Sequence, residues 1–537
     1  MAPMSSEIEL KFHIPAARLA AVTRAVATRT AVVEPLAALY FDTPDQHLAQ
    51  ARVALRLRRE GEYWVQTLKA EGATAMQRLE HNVPVPMPIR PDKVASASAS
   101  PPALDLARHE GSDAGVVLAR VLAQAGNPPL QARYATQVQR TRRVLRHGGA
   151  LIELALDRGH ITSGERQLPI CELEFELLRG TPQALLDVAA RWVDRFDLVL
   201  DVRSKSELGH LLAAGLAMSP PASARPLRLA REATVADALA AMLANPLGQV
   251  LANASPLADG PAEPEHLHQL RVGLRRLRTV LKVYGALLPT ALQADMAFNA
   301  VGVPASGLGR VNDGEPAPTP SLVAALATLF GQLGAARDQD AMDEWLWPAL
   351  RLAGSPLVDR PNTALQNPGP DLAALLSTPA TQHLWLALLG ACQPGVMALE
   401  TGLAAVKPVP LRRALSQPLQ RLQRQVRRDA ARFTELDDAA RHRLRRRIKR
   451  LRYASELVGA LWPAKNVARY LACLQQAQSP LGEFNDTVVA LACCRSLTES
   501  DPRAWFAVGW LAARLQTLAA PCAKALKCVA RQRGFWR

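Results

Sequence analysis

No uninterrupted apolar run of about 18 residues, the length a membrane-spanning helix needs, occurs in this 537-residue sequence. Its opening residues, MAPMSSEIELKF, lack the basic-then-apolar order of a signal peptide, so the expected location is cytoplasmic. The seven cysteines (Cys171, Cys392, Cys473, Cys493, Cys494, Cys522, Cys528) are odd in number, scattered and without CxxC spacing. That argues against a disulfide framework or a structural zinc site and predicts buried, reduced thiols. What is present is enough apolar residue, 49%, for sizeable cores. The length predicts two to four domains.

The net charge of +16 is unevenly distributed. Up to Pro226 there are 27 Lys and Arg against 24 Asp and Glu; from Leu227 onward, 37 against 24. The basic excess therefore belongs to the second part, which should attract a polyanion: nucleic acid, an anionic membrane or polyphosphate. Two stretches rich in Pro, Ala and Ser interrupt the chain. Segment 84–104 reads as a long loop, and 218–226 (MSPPASARP) coincides with the change in charge, so it is read as a linker between domains 1–217 and 227–537.

Before the linker, period-two alternation dominates in EIELKF, ALRLRRE, YWVQTLKAE, ALIELALD and ICELEFEL, with two helices expected near 15–28 and 181–196. Beyond it, Ala/Leu/Arg stretches predict helices almost throughout, giving an α+β unit followed by an all-α unit. The second unit repeats itself. His268-x-x-Arg271-x-x-x-Arg275-Arg276-Leu-Arg278 matches His442-x-x-Arg445-x-x-x-Lys449-Arg450-Leu-Arg452 without a gap, and Leu333-Gly334 to Asp338 matches Leu481-Gly482 to Asp486. The paired motifs are 66 residues apart in one copy and 40 in the other, the excess falling around 289–320. Two such copies predict a pseudo-symmetric bundle with a shared groove.

On one face of the first strand stand Glu7, Glu9 and Lys11; Arg56 and Arg58 share a face, as do Glu172, Glu174 and Glu176. Lys69, Arg78, Glu80, Glu153 and Asp157 continue the theme. One such face would ordinarily be solvated. Several together, some almost wholly carboxylate and others cationic, repel within themselves unless they converge on ions. Turned inward in a closed barrel, they would hold both a divalent metal and phosphate.

These residues resemble the CYTH superfamily of triphosphate tunnel metalloenzymes. The likeness runs through Glu7-x-Glu9-x-Lys11, Tyr40-Phe41-Asp42-Thr43, Arg56/Arg58, Thr67-Leu68-Lys69, Glu153…Asp157-Arg-Gly159, Glu172-x-Glu174-x-Glu176 and Ser204-Lys205, about residues 5–212 in order. The resemblance implies an eight-stranded antiparallel tunnel that binds triphosphate, with Lys11, Arg56, Arg58, Lys69, Arg78, Arg140 and Lys205 on phosphate oxygens. It implies catalytic roles for Glu7, Glu9, Lys11, Glu172 and Glu174. Of these the four glutamates, with Glu176, would hold Mg²⁺ or Mn²⁺. Glu153, Asp157 and Glu80 stand behind them, and Arg142 is an alternative to Arg140.

In the second unit His268, Arg271, Arg275, Arg278 and Lys282 form one helical stripe, and His442, Arg445, Lys449 and Arg452 another, nearly free of intervening carboxylates. A like-charged stripe, present twice in register, predicts phosphate binding, with each His a further donor rather than a metal ligand. The pattern resembles the CHAD domain over roughly 230–530, including Ala336-Arg337-Asp338-x-Asp340 and Leu481-Gly482-x-x-Asn485-Asp486. That resemblance implies inorganic polyphosphate as ligand, with some family members on polyphosphate granules. Segment 405–452, with 16 basic and 4 acidic residues, adds Arg424, Arg427 and Arg428.

The expected activity is thus metal-dependent hydrolysis of inorganic triphosphate beside a polyphosphate-binding domain. Two alternatives are an organic triphosphatase or adenylate cyclase on the same tunnel, for which Tyr40, Phe41, Tyr63 and Trp64 could recognise the organic part, and a non-catalytic scaffold. Specific nucleic-acid binding is disfavoured, since Phe433 is the one aromatic in 405–452. Oligomeric state and any communication between the domains stay open.

Overall fold

The computed structural model describes residues 6–61, 63–86, 101–260, 262–288, 321–357, 371–393 and 410–537, with the backbone alone over 335–343. Most of segment 84–104, all of 289–320 and the side chains of Arg337, Asp338 and Asp340 lie outside the described residues.

The first unit runs β1 (Ser6–His13), α1 (Leu19–Val26), β2 (Val32–Asp42), α2 (His47–Gln50), β3 (Ala54–Glu60), β4 (Tyr63–Glu71), β5 (Gln77–Val85), α3 (Asp113–Gln124), β6 (Gln131–His147), β7 (Ala150–Ser163), β8 (Arg166–Arg179), α4 (Pro182–Phe196), β9 (Val199–Leu200) and α5 (Lys205–Ala214). The eight long strands pair antiparallel in the order β5-β4-β3-β2-β6-β7-β8-β1, and β1 pairs β5 to close the barrel. The two-residue β9 is added to β1 beyond that closure.

Alternation sets the orientation of every strand. Leu10 and Phe12, Ile152 and Leu154, and Leu173 and Phe175 are buried on the outside of the barrel, under α4 residues Leu185, Ala189 and Val193. Their polar neighbours therefore face the lumen. Helix α4 begins where Thr181 accepts from the Ala184 amide with Pro182 in the first turn. Gly159 is required by close approach: a Cβ there would lie 2.0 Å from the carbonyl oxygen of Gln137. The expected two helices are a minimum; α3 and α5 also pack on the barrel, each N-capped by a serine (Ser112, Ser204).

The second unit is helical: α6 (Val235–Asp259), α7 (Pro264–Tyr284), α8 (Leu322–Leu352), α9 (Leu372–Ser377), α10 (Pro379–Ala391), α11 (Leu411–Ala431), α12 (Asp438–Val458), α13 (Ala464–Leu497) and α14 (Ala504–Arg531). By length and composition α6 could cross a membrane, with a mean hydropathy of 1.3; it serves instead as a core helix, its Leu239, Leu243, Leu247 and Val250 buried. The repeat is structural. α7 and α12 carry the two copies of the motif, and each ends in the same Gly-Ala-Leu 3-10 turn, Gly285–Leu287 and Gly459–Leu461. The Tyr284 hydroxyl donates to the carbonyl of Ala454, tying one copy to the other.

Cys473 and Cys528 are joined as a disulfide between α13 and α14, with Cα atoms 6.3 Å apart, so the expectation of reduced thiols is corrected for this pair. Of the other five, Cys392, Cys494 and Cys522 are buried, and Cys171 and Cys493 are partly so. The two units are not separate bodies. α10 packs on α4, Gly390 against Leu186, and one apolar core runs through both.

Candidate active site and basic groove

The barrel encloses a cavity of about 670 Å³. Its wall includes Glu7, Glu9, Lys11, Arg56, Arg58, Lys69, Arg78, Arg140, Glu174, Glu176 and Lys205 from the expected set, while Glu172 reaches the same chemistry through its bonds to Lys11 and Lys205. All but Lys205, which opens α5, were placed there by period two on strands whose register fixes their neighbours. Lys11 stands opposite Glu174, Glu9 opposite Glu176, and Asp157 opposite both Glu172 and Arg140.

Two ion-pair clusters result. In the first, Arg140 grips Asp157 with two hydrogen bonds of 2.7 Å each and Glu174 at 2.6 Å. Lys205 touches Asp157 at 2.7 Å, Glu174 at 2.8 Å and Glu172, and Lys11 adds 3.1 Å to Glu172. Burial alone would neutralise Lys205; its three carboxylates instead hold its pKa well above the ordinary lysine value. In the second cluster Lys69 lies 2.6 Å from Glu7 and 3.0 Å from Glu80, with Arg78 3.6 Å from Glu9. Burial pushes Glu7 up to about 9, and Glu80 is held below the usual carboxylate range, against its own burial, by the hydrogen bond with Glu7 and the charge of Lys69. The two therefore share one proton.

Opposite these stands a cationic corner. Arg58 lies close to Arg56 and Arg140, and burial followed by those two charges pushes its pKa down. Tyr40, stacked on Tyr134 at 4.7 Å, takes a 3.2 Å hydrogen bond from Arg56. Arg58 is itself paired with Glu60 through a 2.6 Å hydrogen bond and Arg140 with Asp157 and Glu174, while Arg56 is set against the Tyr40 hydroxyl, so an anion entering here competes with those carboxylates.

The carboxylates expected to hold the metal fall in two places along the wall. Oxygen atoms of Asp157, Glu172 and Glu174 lie within 4.8 Å of one another, the one such cluster among the described residues. Asp157, expected only in support, is central to it; Glu7, Glu9 and Glu176 line the wall apart from it. The reason is geometric: Asp157 pairs across β7 and β8 with Glu172, whereas Glu176 is four pairs further along, opposite Glu153. An all-carboxylate set fits a hard divalent ion. The raised pKa of Glu172, due first to burial, also fits, because a cation there would restore its charge. Arg142 is not in either cluster; it bonds Glu34 at 2.8 Å and Glu153 at 3.4 Å.

Sequence reasoning missed several lining residues, three of which show why. Asn82 accepts from Thr67 at 2.7 Å, a partnership across β4 and β5. Asp201 follows β9, donates its amide to the carbonyl of Lys11 at 2.9 Å and faces the cavity. Leu389 comes from α10 of the other unit, and no local pattern could have assigned it to a tunnel.

In the helical unit the two stripes divide into structural and open parts. Arg271 is buried, donating to the carbonyls of Leu333 and Gly334 at 2.7 and 2.9 Å. Arg276 is 3% exposed and bonds Gln249 and Asn245, so it faces α6 rather than the groove. In the second copy His442 bonds Asn485 and Arg445 lies 3.4 Å from Asp486, which explains the shorter downstream motif. Lys449 lies among Arg445, Arg275 and Arg452, and burial followed by those charges lowers it to about 7. Arg278 and Lys282 face Arg446, and Lys282 also Arg450; a depression of about 200 Å³ is lined by Lys282, Arg443, Arg446, Arg447 and Arg450 alone. His268 is on the same helix as the first stripe, α7. Of the further arginines, Arg427 donates to the carbonyl of Ala530 at 2.7 Å.

Comparison with known proteins gives a two-part result. Residues 5–199 match the CYTH domain, and residues 241–315 and 306–495 match the CHAD domain. An inorganic triphosphatase of Haemophilus influenzae is 29% identical over 178 residues, a match covering 33% of this chain and 45% of that protein. A CHAD domain structure from Ricinus communis is 28% identical over 59% of this chain and 98% of that one, with a TM-score of 0.46. An adenylyl cyclase from Hippeastrum whose description reports a dominant triphosphatase activity is 16% identical over 40% and 97%, with a TM-score of 0.25.

Proposed function

The chain is a CYTH domain followed by a CHAD domain, and from that premise we propose that it hydrolyses inorganic triphosphate with Mg²⁺ or Mn²⁺ and binds inorganic polyphosphate through its helical domain. The domain division proposed is 1–217 and 227–537, across the stretch 218–226. The observation that carries the catalytic part is one cavity that joins a carboxylate cluster, Asp157, Glu172 and Glu174, to the cationic corner of Arg56, Arg58 and Arg140.

In this reading the cationic corner and Lys11, Lys69 and Lys205 take the phosphate oxygens through charge-assisted hydrogen bonds. Asp157, Glu172 and Glu174 would hold a divalent ion, which when bound neutralises charge on the phosphates and on the leaving oxygen. Arg140 is in both groups, so the anion and the carboxylates compete for it. Glu176, raised by burial and opposite Glu153 and Glu9 in the strand pairing, is suited to orient a water and accept its proton.

The inorganic substrate is favoured over an organic one by the wall itself. Among the described lining residues Tyr40 supplies the aromatic ring, and that ring is covered by Tyr134 and engaged by Arg56. Trp64 is buried, and Tyr63, 71% exposed, is not among the residues lining the cavity, so neither offers a base platform within it. For the helical domain, the support is the carboxylate-free lining at Lys282 and Arg443 to Arg450 together with Lys449 among arginines.

The test is phosphate release from tripolyphosphate, ATP and long-chain polyphosphate, comparing wild type with Glu172→Gln/Glu174→Gln and Glu7→Gln/Glu9→Gln. Metal-dependent release from tripolyphosphate, lost in the first double variant, is expected. Retention of polyphosphate on a filter with no release from any substrate would leave a scaffold instead.

A further inference from the structure

The segment from Val199 to Lys205 joins α4 to α5 and has two sides. Along β1 it pairs Leu200 with Phe12, and Asp201 donates to Lys11. Amides of a strand alternate in direction, so those of Leu200 and Val202 point away from β1, towards an edge where no further strand lies. The helical domain occupies that edge. The side-chain oxygen of Gln382 in α10 accepts from Leu200 at 2.8 Å, and the Ser255 hydroxyl in α6 accepts from Val202 at 3.2 Å. Gln382 is 1% exposed and is itself fixed, donating to the carbonyl of Leu376 at 2.7 Å. Arg203 then bridges Asp201 at 2.9 Å and Asp259, at the end of α6, at 3.0 Å.

Two residues later the same segment delivers Lys205 into the carboxylate cluster. Next to it, Leu389 of α10 lines the cavity, and Gln393 contacts the sulfur of Met76 just before β5. The barrel wall is thus completed where β5 leaves β1 and β9 has barely begun.

We propose that the helical domain is part of the triphosphatase site: Gln382 and Ser255 are positioning residues that hold the 199–205 strap, and through it Lys205 and Asp201, in the tunnel. This rests on the tunnel being the triphosphatase site. It assigns the helical domain a second role, separate from its basic groove, and makes the two domains one functional unit. A shift of α6 or α10 would move Lys205 directly, because each is bonded to the strap's backbone.

The experiment uses the full chain with Gln382→Leu and Ser255→Val, which remove the acceptors, beside Gln382→Glu and Ser255→Thr, which keep an acceptor oxygen. Three readouts are taken: tripolyphosphate kinetics, polyphosphate retention, and amide exchange of the 199–205 peptide. Loss of one buried acceptor should raise exchange of that peptide by about tenfold or more. It should also lower kcat/KM for tripolyphosphate by about tenfold, mostly in KM, as a misplaced binding group does. Polyphosphate retention should be unchanged, and Ser255→Thr should restore the kinetics. Faster exchange with kcat and KM within twofold of wild type would overturn the positioning role, and unchanged exchange would overturn the strap itself. Wild type that shows the exchange pattern but releases no phosphate would sink the triphosphatase reading and, with it, the catalytic role of the strap. Should Gln382→Leu not fold, Ser255→Val against Ser255→Thr decides.

Discussion

On the proposed polyphosphate binding, Lys449 should couple affinity to pH, with a direction and rough size that follow from its surroundings. Its ammonium is lowered from 10.5 to about 7, by burial first and then by Arg445 and Arg275, against the single opposing charge of Asp486. At about 1.4 kcal/mol per pKa unit, keeping it charged costs the folded protein at most about 5 kcal/mol. Between about 7 and 10.5 the unfolded chain binds the additional proton, so stability rises with pH through that window and the full cost applies below it. A polyanion reverses the preference, since it favours the ammonium. Binding above pH 7 must then take up as much as one proton, and affinity should fall by up to about tenfold per pH unit from 7 to 9. Lys449→Met should flatten that slope and stabilise the free protein near pH 7; Lys449→Arg should flatten it while keeping tight binding at pH 9. Calorimetry of polyphosphate binding at fixed ionic strength, in buffers of different ionisation enthalpy, reads the proton directly. Equal slopes for wild type and Lys449→Met, with no uptake at pH 8, would refute the assignment.

Asp157→Asn leaves Arg140 and Lys205 without their shared, fully buried partner and should cost about 3–5 kcal/mol in denaturant unfolding; an unchanged midpoint would show the cluster relaxes without it. Gly209→Ala would bring a Cβ to 2.2 Å from the Tyr134 ring, which backs Tyr40 and Arg56, so a loss of about 1–3 kcal/mol is expected in thermal unfolding, with a higher KM for tripolyphosphate. Unaltered stability would mean α5 can slide. Arg276→Met should lower stability but leave polyphosphate retention within about twofold, a ratio any groove residue would exceed.

Where chemistry follows a strand's own alternation, the sequence was sufficient. Glu7, Glu9 and Lys11 on one face and Ile8, Leu10 and Phe12 on the other leave a single choice once a core covers the apolar side. Strand pairing was not legible, and with it went the grouping of the carboxylates: Asp157 joins Glu172 and Glu174 because β7 meets β8 in one register. The helical stripe was overread for a related reason. At 100° per residue Arg271 and Arg278 share a face while Arg276 points to the far side, and burial against α8 and α6 makes Arg271 and Arg276 internal. The repeat was legible from His268 and His442, and its extension into the Gly-Ala-Leu turns was there to be read. The disulfide between Cys473 and Cys528 was not, since no spacing rule relates positions 55 residues apart on neighbouring helices.

A lumen in which every strong cation of the first cluster already grips a carboxylate behaves as an ion exchanger. An anion entering alone would free Asp157, Glu172 and Glu174 from Lys205 and Arg140 and leave them facing one another; a metal entering alone would leave those cations facing it. Both costs vanish when the two arrive together. The affinities are therefore thermodynamically linked, and each ligand must strengthen the other by the same factor. On the proposed function, metal titrated without tripolyphosphate should bind weakly, and the metal–triphosphate complex rather than the free anion should be the species taken up.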